Sequence, residues 1–463
     1  MKFIDVKNPF DGSVIGKAPI SSVADVELAL KKARILFDDK KQQLPAYKRV
    51  AILEKAMSIM SENVQELTKL CASEGGKPWM DSEVEIYRGI NGVKLAIEAL
   101  SKLEGKQIAM GHTESSANRM AYTFKEPIGV CVSISAFNHP FNLAIHQIIP
   151  AVAMGCPIII KPATSTPLSA LKIIEILREA GLGDSWAQAL VCEREASEKL
   201  AFSSKIDYLS FIGSAKVGWY LNANVADGVR VSLEHGGVAP VIVAEDADID
   251  ALIPSIGKGG FYHAGQVCVS VQRVYVHSSI CKEVSQRLAK YATSLKVGNQ
   301  LENTTEVGPL INHKEIERVS EWVNEAKESG GEIMCGGKIL SESCYAPTVI
   351  LNPSDSALVS TKEVFAPVVC IYTYEDIDEA IDRANALPVS FQAAVFTKNI
   401  DIALKATKTL NAKAVMINDH TAFRVDWMPF GGAKESGLGV GGIGYSMQEM
   451  TNEKLMVIKS SAL

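Results

Sequence analysis

The spacing of apolar residues separates a helical first part of the chain from a mixed second part. Between residues 22 and 103 apolar side chains recur every three or four positions, as in VADVELALKKARILF, which predicts a layer of amphipathic helices closed at Gly75 and Gly76. Ahead of this layer the turn residues NPFDG precede a short strand-like run. The N-terminus is therefore predicted to form a hairpin or an edge strand.

Beyond residue 127 short β-rich runs alternate with helical stretches. Four runs occupy residues 128–135, 157–163, 207–213 and 229–237, and a second series, PVIVAE, RVYVH, VVCIYTY, AAVFTK and AVMIND, follows them. Repeated strand-helix-strand order predicts mainly parallel sheets with helices on both faces. The chain is therefore expected to be an α/β protein, and its 463 residues are enough for two or three domains with a cleft between them.

Charge and cysteine content narrow the class of protein. The formal net charge is −6 without a block of lysine or arginine, which argues against nucleic acid as a partner. Nine cysteines are scattered between Cys71 and Cys370 with no C-x-x-C pair, so neither a disulfide framework nor a metal site is expected. No apolar run approaches the ~18 residues of a membrane span, and the first residues lack a signal-peptide pattern. A cytoplasmic protein without membrane contact is expected.

The segment FYHAGQVCVSVQR, residues 261–273, is the strongest candidate for chemistry. It places Cys268 after a glycine-containing turn and just before a strand, where a thiol can stand at the edge of a cleft. A single free cysteine is more often a small buried apolar residue than a nucleophile. Three other segments supply complementary groups: Glu234 in SLEHGG, Asn138 in SAFNHPFN and Lys161 in IIIKPATSTP.

These four segments, in this order and at this spacing, resemble the aldehyde dehydrogenase superfamily over nearly the whole chain. Three later motifs agree: KEVFAPVV at 362–369, INDHTAF at 417–423 and PFGGAKESGLG at 429–439. The resemblance implies a Rossmann-type cofactor domain, an α/β catalytic domain and a small oligomerisation sheet. It assigns the cofactor domain to residues 1–109, 128–236 and 431–445, the catalytic domain to 237–430, and the oligomerisation segments to 110–127 and 446–463.

Aldehyde chemistry explains why these residue types should converge. An aldehyde has no leaving group, so hydride departs only after a nucleophile has made the carbonyl carbon tetrahedral, and a thiolate does this well. The resemblance makes Cys268 the nucleophile and assigns the oxyanion to the Asn138 amide and the Cys268 backbone N–H. It makes Glu234 the base that activates water to hydrolyse the thioester. Read singly, Glu234 would serve as a capping or salt-bridge carboxylate and Asn138 as a turn residue.

A strand-to-helix turn in SFIGSAKVG is the candidate phosphate site. Gly213 and Ser214 open the helix there, so their backbone N–H groups point at whatever binds. The resemblance implies that the pyrophosphate of NAD or NADP occupies this turn. It also assigns the adenine ribose to Lys161, the nicotinamide ribose to Glu363, and packing beside that carboxylate to Phe365. Lone surface residues are the alternative reading of the two charged side chains.

The residue three positions after Lys161 bears on the choice of cofactor. NAD-preferring relatives often carry a glutamate there, whereas this chain has Thr164. A carboxylate would accept the ribose 2′-hydroxyl and repel a 2′-phosphate, so a neutral threonine removes the repulsion without excluding NAD. NADP is therefore predicted to be accepted.

The stretch GVGGIG at 439–444 satisfies the pattern G-x-G-x-x-G letter for letter. A dinucleotide fingerprint must follow a strand and open a helix inside a βαβ unit, with an acidic residue further on. This stretch instead follows PFGGAKESGLG near the C-terminus, so a glycine loop is the better interpretation.

Polar residues near the expected substrate tunnel indicate the class of aldehyde. His139 lies between Asn138 and Pro140. In the family, the polar stretch DHTAFRVD that contains Arg424 lines the tunnel, and Arg88 falls near where relatives line the tunnel mouth. These side chains predict a small hydrophilic aldehyde, 2-hydroxylated like lactaldehyde or bearing a phosphonate or sulfonate group. The alternative is that Arg424 pairs with a neighbouring aspartate and that His139 is a satisfied turn histidine.

Three other functions compete with aldehyde oxidation to an acid. A CoA-acylating dehydrogenase would not need Glu234 as a base. A cysteine hydrolase would leave the phosphate site and Glu363 without a role. A non-catalytic relative would not need Cys268, Glu234 and Asn138 intact, so all three alternatives are disfavoured.

Two strand-like segments bear on assembly. NRMAYTFKEP alternates apolar and polar residues, and EKLMVIKSS lies close to the C-terminus. In the family these segments form a protruding sheet that pairs subunits, so a homodimer or a homotetramer is implied.

Overall fold

The computed structural model describes residues 2–463. Its α-helices are α1 Val23–Asp38, α2 Ala46–Glu62, α3 Val64–Gly75, α4 Trp79–Leu100, α5 Pro140–Met154, α6 Leu168–Glu179, α7 Arg194–Ala201, α8 Ala215–Asn222, α9 Ile249–Phe261, α10 Ser278–Ser294, α11 His313–Glu328, α12 Leu358–Thr361, α13 Ile377–Asn385, α14 Ile400–Thr409 and α15 Ile443–Glu449. Its strands are β1 Lys2–Lys7, β2 Val14–Ile20, β3 Gln107–Ile108, β4 Arg119–Pro127, β5 Cys131–Ile134, β6 Ile158–Lys161, β7 Ala187–Ala189, β8 Tyr208–Ile212, β9 Arg230–Glu234, β10 Val241–Val243, β11 Arg273–His277, β12 Glu332–Cys335, β13 Thr348–Leu351, β14 Val368–Tyr374, β15 Val389–Ser390, β16 Gln392–Phe396, β17 Ala414–Ile417, β18 Ala433–Lys434, β19 Gly437–Leu438 and β20 Thr451–Lys459.

The first hundred residues form the predicted hairpin and helices. β1 and β2 pair antiparallel. α1 begins with a capping box, in which the Ser22 hydroxyl accepts from the Asp25 N–H and the Asp25 carboxylate accepts from the Ser22 N–H. α3 ends at Gly76, whose φ of 73° costs glycine little. Because α4 then continues the layer to Leu100, the glycine pair closes one helix and not the whole layer, which corrects the sequence prediction.

The first large sheet has six strands in the order β19-β9-β8-β5-β6-β7, and all of them except β19 run parallel. Alternate side chains of β6 face opposite sides. Ile158 and Ile160 pack with α2, α5 and α6, whereas Ile159 packs with α1 and α7. The predicted parallel sheet with helices on both faces is therefore confirmed for this part of the chain.

The second large sheet has seven strands in the order β12-β13-β14-β11-β10-β16-β17, and only its edge strand β12 is antiparallel. Five of these strands coincide with the second predicted series of runs. The other two, β12 and β13, have four residues each and were not identified. The domain boundaries drawn from the family resemblance remain a prediction.

A third sheet stands apart from the two large ones. β4 pairs antiparallel with β20 over nine residue pairs, and β3 lies on the other side of β4. The outer edge of β20 has no partner strand within residues 2–463. Over the same described range, no helix combines the length and the apolar character that crossing a membrane requires. Nor does any group of three or more histidine, cysteine or acidic side chains there have a metal-binding arrangement.

Candidate active site

A cavity of about 980 Å³ lies between the two large sheets. In the six-stranded sheet the residues that follow β5, β6, β8 and β9 converge because the carboxyl ends of parallel strands meet at one edge. The segments that precede β11 and β14 of the other sheet close the opposite side. All the site residues predicted from the sequence line this cavity: Arg88, Asn138, His139, Lys161, Thr164, Gly213, Ser214, Glu234, Cys268, Glu363, Phe365 and Arg424.

Cys268 and Glu234 face each other at one end of the cavity. The Cys268 thiol lies 3.8 Å from Glu234 Oε1 and donates to it. Burial raises the pKa of this thiol well above its usual value, the negative charge of Glu234 adds to the shift, and the Arg424 guanidinium opposes it. The thiol is therefore protonated at neutral pH in the free protein, with a carboxylate placed to take its proton.

Glu234 ends β9, a strand held between β8 and β19. Burial raises the pKa of its carboxyl, and both the Arg424 charge and the hydrogen bond from Cys268 act against that shift. A carboxyl with a raised pKa is better suited to accept a proton near neutral pH than an ordinary surface carboxylate. The position and the ionisation of Glu234 are thus both compatible with a general base.

Asn138 is fixed beside the segment that carries the thiol. Its Nδ2 donates to the carbonyl oxygen of Gln266 at 2.9 Å, which uses one of the two amide hydrogens and leaves the other for a ligand. α5 starts two residues later and is anchored by Glu85, whose Oε1 accepts from two N–H groups of its first turn, those of Phe141 and Asn142. Glu85 is itself buried against Lys77. No local pattern in the sequence indicates this anchor, because Glu85 lies more than fifty positions away from the helix start.

Lys161 lies toward the other end of the cavity, at the end of β6. Its side chain is largely buried, and burial lowers the pKa of its ammonium group. Within residues 2–463 it has no hydrogen-bond or ion-pair partner. Thr164 lies three residues further along the same wall, and the Gly213–Ser214 turn at the start of α8 borders the space between them. A buried cation without a counter-ion is what an anionic or hydroxyl-bearing ligand needs here.

Glu363 is a second group without a partner. Its Oε1 is buried and accepts no hydrogen bond from the described residues, and burial raises the pKa of the carboxyl to about 8. A Cβ built on Gly236 would overlap this carboxylate, so the glycine lets the carboxylate take its present position. The loop is held by Arg318, whose Nη2 donates to the Val364 carbonyl at 2.7 Å. Phe365 adopts φ 51° and packs edge-on against Phe137.

The two arginines of the cavity are partnered differently. Arg88 forms a two-pronged pair with Asp426, with Nε and Nη2 3.1 and 2.7 Å from the two carboxylate oxygens. Arg424 forms no ion pair with a carboxylate among residues 2–463. The sequence alternative, in which Arg424 pairs with a neighbouring aspartate, is therefore wrong: that aspartate pairs with Arg88. Arg424 instead stacks over Phe430, with Cζ 3.6 Å from the ring centroid.

His139 is hydrogen-bonded at the start of α5, as the alternative of a satisfied turn histidine requires. Its Nε2 lies 3.2 Å from the hydroxyl of Tyr262, a residue of the nucleophile segment that the sequence analysis did not single out. Burial lowers the pKa of His139 well below its usual value, and the positive charge of Lys77 adds to the effect. The ring is therefore neutral and presents, with Tyr262, an uncharged polar surface to the cavity.

The GVGGIG stretch lies behind Glu234. The strand before it, β19, has two residues and pairs antiparallel with β9, whereas a dinucleotide fingerprint belongs to a parallel βαβ unit. A Cβ built on Gly441 would lie 3.8 Å from Glu234 Oε2. This topology agrees with rejecting the stretch as a phosphate loop.

Comparisons with known proteins place this geometry in context. A model of the aldehyde dehydrogenase family matches residues 1–456. The 3-sulfolactaldehyde dehydrogenase of Priestia megaterium is 36% identical over 457 residues, which are 98% of this chain and 94% of that protein. The lactaldehyde dehydrogenase of Methanocaldococcus jannaschii is 35% identical over 463 residues, 98% of this chain and 97% of that protein.

Solved structures agree with the sequence comparisons. The crystal structure of glyceraldehyde-3-phosphate dehydrogenase GapN from Methanocaldococcus jannaschii, complexed with NADP, has a TM-score of 0.94 and 35% sequence identity. The alignment covers 99% of each chain. The similarity therefore extends over both large sheets and the cavity between them.

Proposed function

The chain belongs to the aldehyde dehydrogenase family and is an NAD(P)-dependent aldehyde dehydrogenase, and from this premise we propose that it oxidises a small polar aldehyde to the carboxylic acid through a thioester on Cys268. The preferred substrate carries a sulfonate or another anionic group, or a 2-hydroxyl as in lactaldehyde. The observation that carries the substrate proposal is the partly buried Arg424, whose charge acts on the thiol and which has no carboxylate partner in the described residues.

The first step forms a bond between Cys268 Sγ and the aldehyde carbon. The thiol proton passes to Glu234, 3.8 Å away, and the carbonyl oxygen becomes negative. The free amide hydrogen of Asn138 and the Cys268 backbone N–H are the donors for that oxygen, and their attachment to the same segment through Gln266 favours a fixed geometry. A bound nicotinamide supplies the hydride acceptor that the oxidation requires.

The second half of the reaction hydrolyses the thioester. Once the hydride has left, Glu234 releases the thiol proton to solvent and becomes a carboxylate again. It then accepts a proton from water, the water oxygen bonds to the acyl carbon, the C–S bond breaks to release the carboxylic acid, and the proton passes from Glu234 to the Cys268 sulfur. A carboxyl whose pKa is raised by burial accepts this proton more readily than an exposed one. The presence of such a base beside the thiol favours hydrolysis over transfer to CoA.

The cofactor end fits a nicotinamide dinucleotide. The unpartnered Glu363 Oε1 would accept from ribose hydroxyls, and the unpartnered Lys161 would donate to the adenine ribose or to a 2′-phosphate. The Gly213–Ser214 turn would hold the pyrophosphate, and Phe365 would pack beside the nicotinamide ribose. Because Thr164 brings no negative charge, we propose that both NADP and NAD are used.

The substrate proposal draws on charge and on similarity. Arg424 keeps its charge unpaired while Arg88 is paired with Asp426, so Arg424 is the group that would bind an anion. One relative is named a 3-sulfolactaldehyde dehydrogenase and another a lactaldehyde dehydrogenase. These names refer to a sulfonated and to an uncharged 2-hydroxy aldehyde. His139 and Tyr262 add neutral polar groups suited to a hydroxyl.

The test is a substrate panel measured with each cofactor. Reduction of NAD or NADP is followed with 3-sulfolactaldehyde, lactaldehyde and hexanal, with and without CoA. We expect 3-sulfolactaldehyde to give the highest kcat/KM and Arg424→Met to lower that value about 10- to 100-fold, because a charge-assisted hydrogen bond is lost. The exposed Arg287→Met serves as the matched control. Better turnover of hexanal, an equal loss for all three aldehydes, or acyl-CoA as product would contradict the proposal.

We also propose that the third sheet joins two copies of the chain, within a dimer or a tetramer, and that residues 110–127 and 446–463 are the segments responsible. β20 has an unpaired edge in the described chain and exposed apolar side chains at Leu455, Met456 and Val457. Light scattering on the wild type and on Val457→Pro, which removes an edge N–H, tests this. A monomeric wild type would refute it.

A further inference from the structure

The buried carboxylate of Asp426 is connected to both arginines of the cavity, to Arg88 directly and to Arg424 through His146. Asp426 is 2% exposed, and besides the two bonds from Arg88 it accepts from His146 Nε2 at 2.8 Å. Burial by itself would raise the pKa of Asp426, but the hydrogen bonds from His146 and Arg88 outweigh it and lower the pKa well below its usual range. Asp426 is therefore a fixed negative charge at any ordinary pH.

His146 connects this carboxylate to Arg424. Burial lowers the pKa of His146 to about 4, and the nearby Arg424 charge acts in the same direction, so the ring is neutral and carries one proton. Because Nε2 lies against an ionised oxygen of Asp426, that proton sits on Nε2 and the lone pair is on Nδ1. Nδ1 lies 3.4 Å from Arg424 Nη2 and accepts from it. The carboxylate thus selects the tautomer that can receive an arginine.

The network gives the two arginines different electrostatic states. Arg88 meets the carboxylate directly, and its charge is largely neutralised there. Arg424 is oriented by a neutral imidazole and by stacking over Phe430, while its Nε is buried without a partner in the described chain. A carboxylate bonded directly to Arg424 would compete with an anionic ligand, whereas a neutral acceptor orients the guanidinium and leaves its charge available.

We propose that His146 and Asp426 are positioning residues that orient Arg424 toward the anionic group of the aldehyde and leave its charge for that group. The inference rests on the proposed function, because it presumes an anionic substrate. His146 lies on α5, whose start is fixed beside Asn138, so one helix relates the anion site to the oxyanion donors. Neither residue is required to touch the substrate.

Two amide substitutions at His146 test its two hydrogen bonds, to Asp426 and from Arg424, one at a time. His146→Gln places an amide nitrogen where Nε2 stands, so it keeps the bond to Asp426 and removes the acceptor for Arg424. His146→Asn places an oxygen where Nδ1 stands, so it keeps the acceptor and removes the donor to Asp426. Both are polar and smaller than or close to histidine in volume, and thermal unfolding of each variant reports its effect on the fold.

The assay compares 3-sulfolactaldehyde with lactaldehyde, which differ by the sulfonate group. We expect His146→Gln to raise the KM for 3-sulfolactaldehyde about tenfold, with kcat and the lactaldehyde constants changed less than about twofold. His146→Asn should keep the KM for 3-sulfolactaldehyde within about threefold of wild type. The exposed His112→Gln is the matched control.

If the bond from His146 to Asp426 serves only to support the fold, His146→Gln should retain the preference for the sulfonate and His146→Asn should lose it. That result would overturn the inference. Equal losses for both substrates in both variants would overturn it as well. Arg424→Met distinguishes this failure from failure of the proposed function. If Arg424→Met abolishes the sulfonate preference while His146→Gln leaves it intact, the positioning role alone is refuted. If Arg424→Met leaves the preference intact, the anionic-substrate proposal fails and the inference fails with it.

Discussion

The two ends of the cavity differ in how their ionisable groups are partnered. At the thiol end Cys268 contacts Glu234, Arg88 pairs with Asp426, and Arg424 Nη2 lies against a histidine nitrogen. Among the groups proposed to hold the cofactor, Lys161 is partly buried and Glu363 Oε1 is buried, and neither has a hydrogen-bond partner in residues 2–463. Buried polar groups without partners are costly, so their retention indicates a site that a ligand completes.

This difference in partners matches the two functions of the cavity, proton transfer at the thiol and binding of the cofactor. Proton transfer at the thiol end depends on pKa values, which the protein sets through its own neighbouring charges before any ligand arrives. Binding at the cofactor end depends on donors and acceptors that a dinucleotide brings with it. Substitutions at the two ends should therefore separate catalysis from cofactor binding.

Cys268→Ala should abolish oxidation, lowering kcat by about 10⁴-fold or more because the covalent step is lost. The Kd for NADP, measured by fluorescence quenching, should change less than about twofold, since the substitution removes none of the groups proposed to hold the cofactor. Cys335→Ala, at the other partly exposed cysteine of residues 2–463, is the control. Substantial residual turnover in Cys268→Ala would remove the basis of the thioester mechanism.

Glu234→Gln should lower kcat by about 10²- to 10³-fold, because an amide of the same shape cannot accept the proton from water. A stopped-flow experiment should show a burst of reduced cofactor that forms more slowly than in the wild type, because Glu234 also accepts the thiol proton in the first step. Turnover at the wild-type rate would refute Glu234 as the base of hydrolysis, and a burst at the wild-type rate would refute proton transfer from the thiol to Glu234.

We expect the Kd for the cofactor to depend on pH through the ionisation of Glu363. Burial raises the pKa of this carboxyl to about 8, so it is mostly protonated in the free protein at pH 7. Ribose hydroxyls that donate to it favour the charged form and lower its pKa, so cofactor binding releases a proton. The Kd should therefore fall as pH rises toward 8, by at most about tenfold per pH unit, and level off above it.

Glu363→Gln should weaken binding by about tenfold and remove this pH dependence, because the amide does not titrate. Glu342→Gln, at an exposed carboxylate, is the control and should leave the profile unchanged. An identical pH profile in Glu363→Gln would assign the titration to another group.

Thr164→Glu should affect one of the two cofactors selectively. A carboxylate at this position repels the 2′-phosphate of NADP and should raise its KM about tenfold, while the KM for NAD changes less than about threefold. Thr164→Ser preserves the neutral hydroxyl and is the matched control. Equal changes for the two cofactors would show that residue 164 does not face the 2′ position.

The residues of the site were predicted more completely from the sequence than the hydrogen bonds and ion pairs that hold those residues in place. All twelve proposed residues line one cavity, and the strand runs became β5, β6, β8 and β9 because alternating and continuous apolar patterns reflect burial directly. Glu85 was missed because it anchors α5 from a position far away along the chain. The pairing of Arg88 with Asp426 joins residues 338 positions apart and was likewise missed.

The order of the longer strands and helices and the residue types at the ends of those strands could be read from local apolar period and turn chemistry. The folded chain is needed to show which arginine is neutralised, which histidine nitrogen is free, and which buried groups lack partners. Those properties depend on distances between segments and on desolvation, and neither quantity exists until the chain has folded.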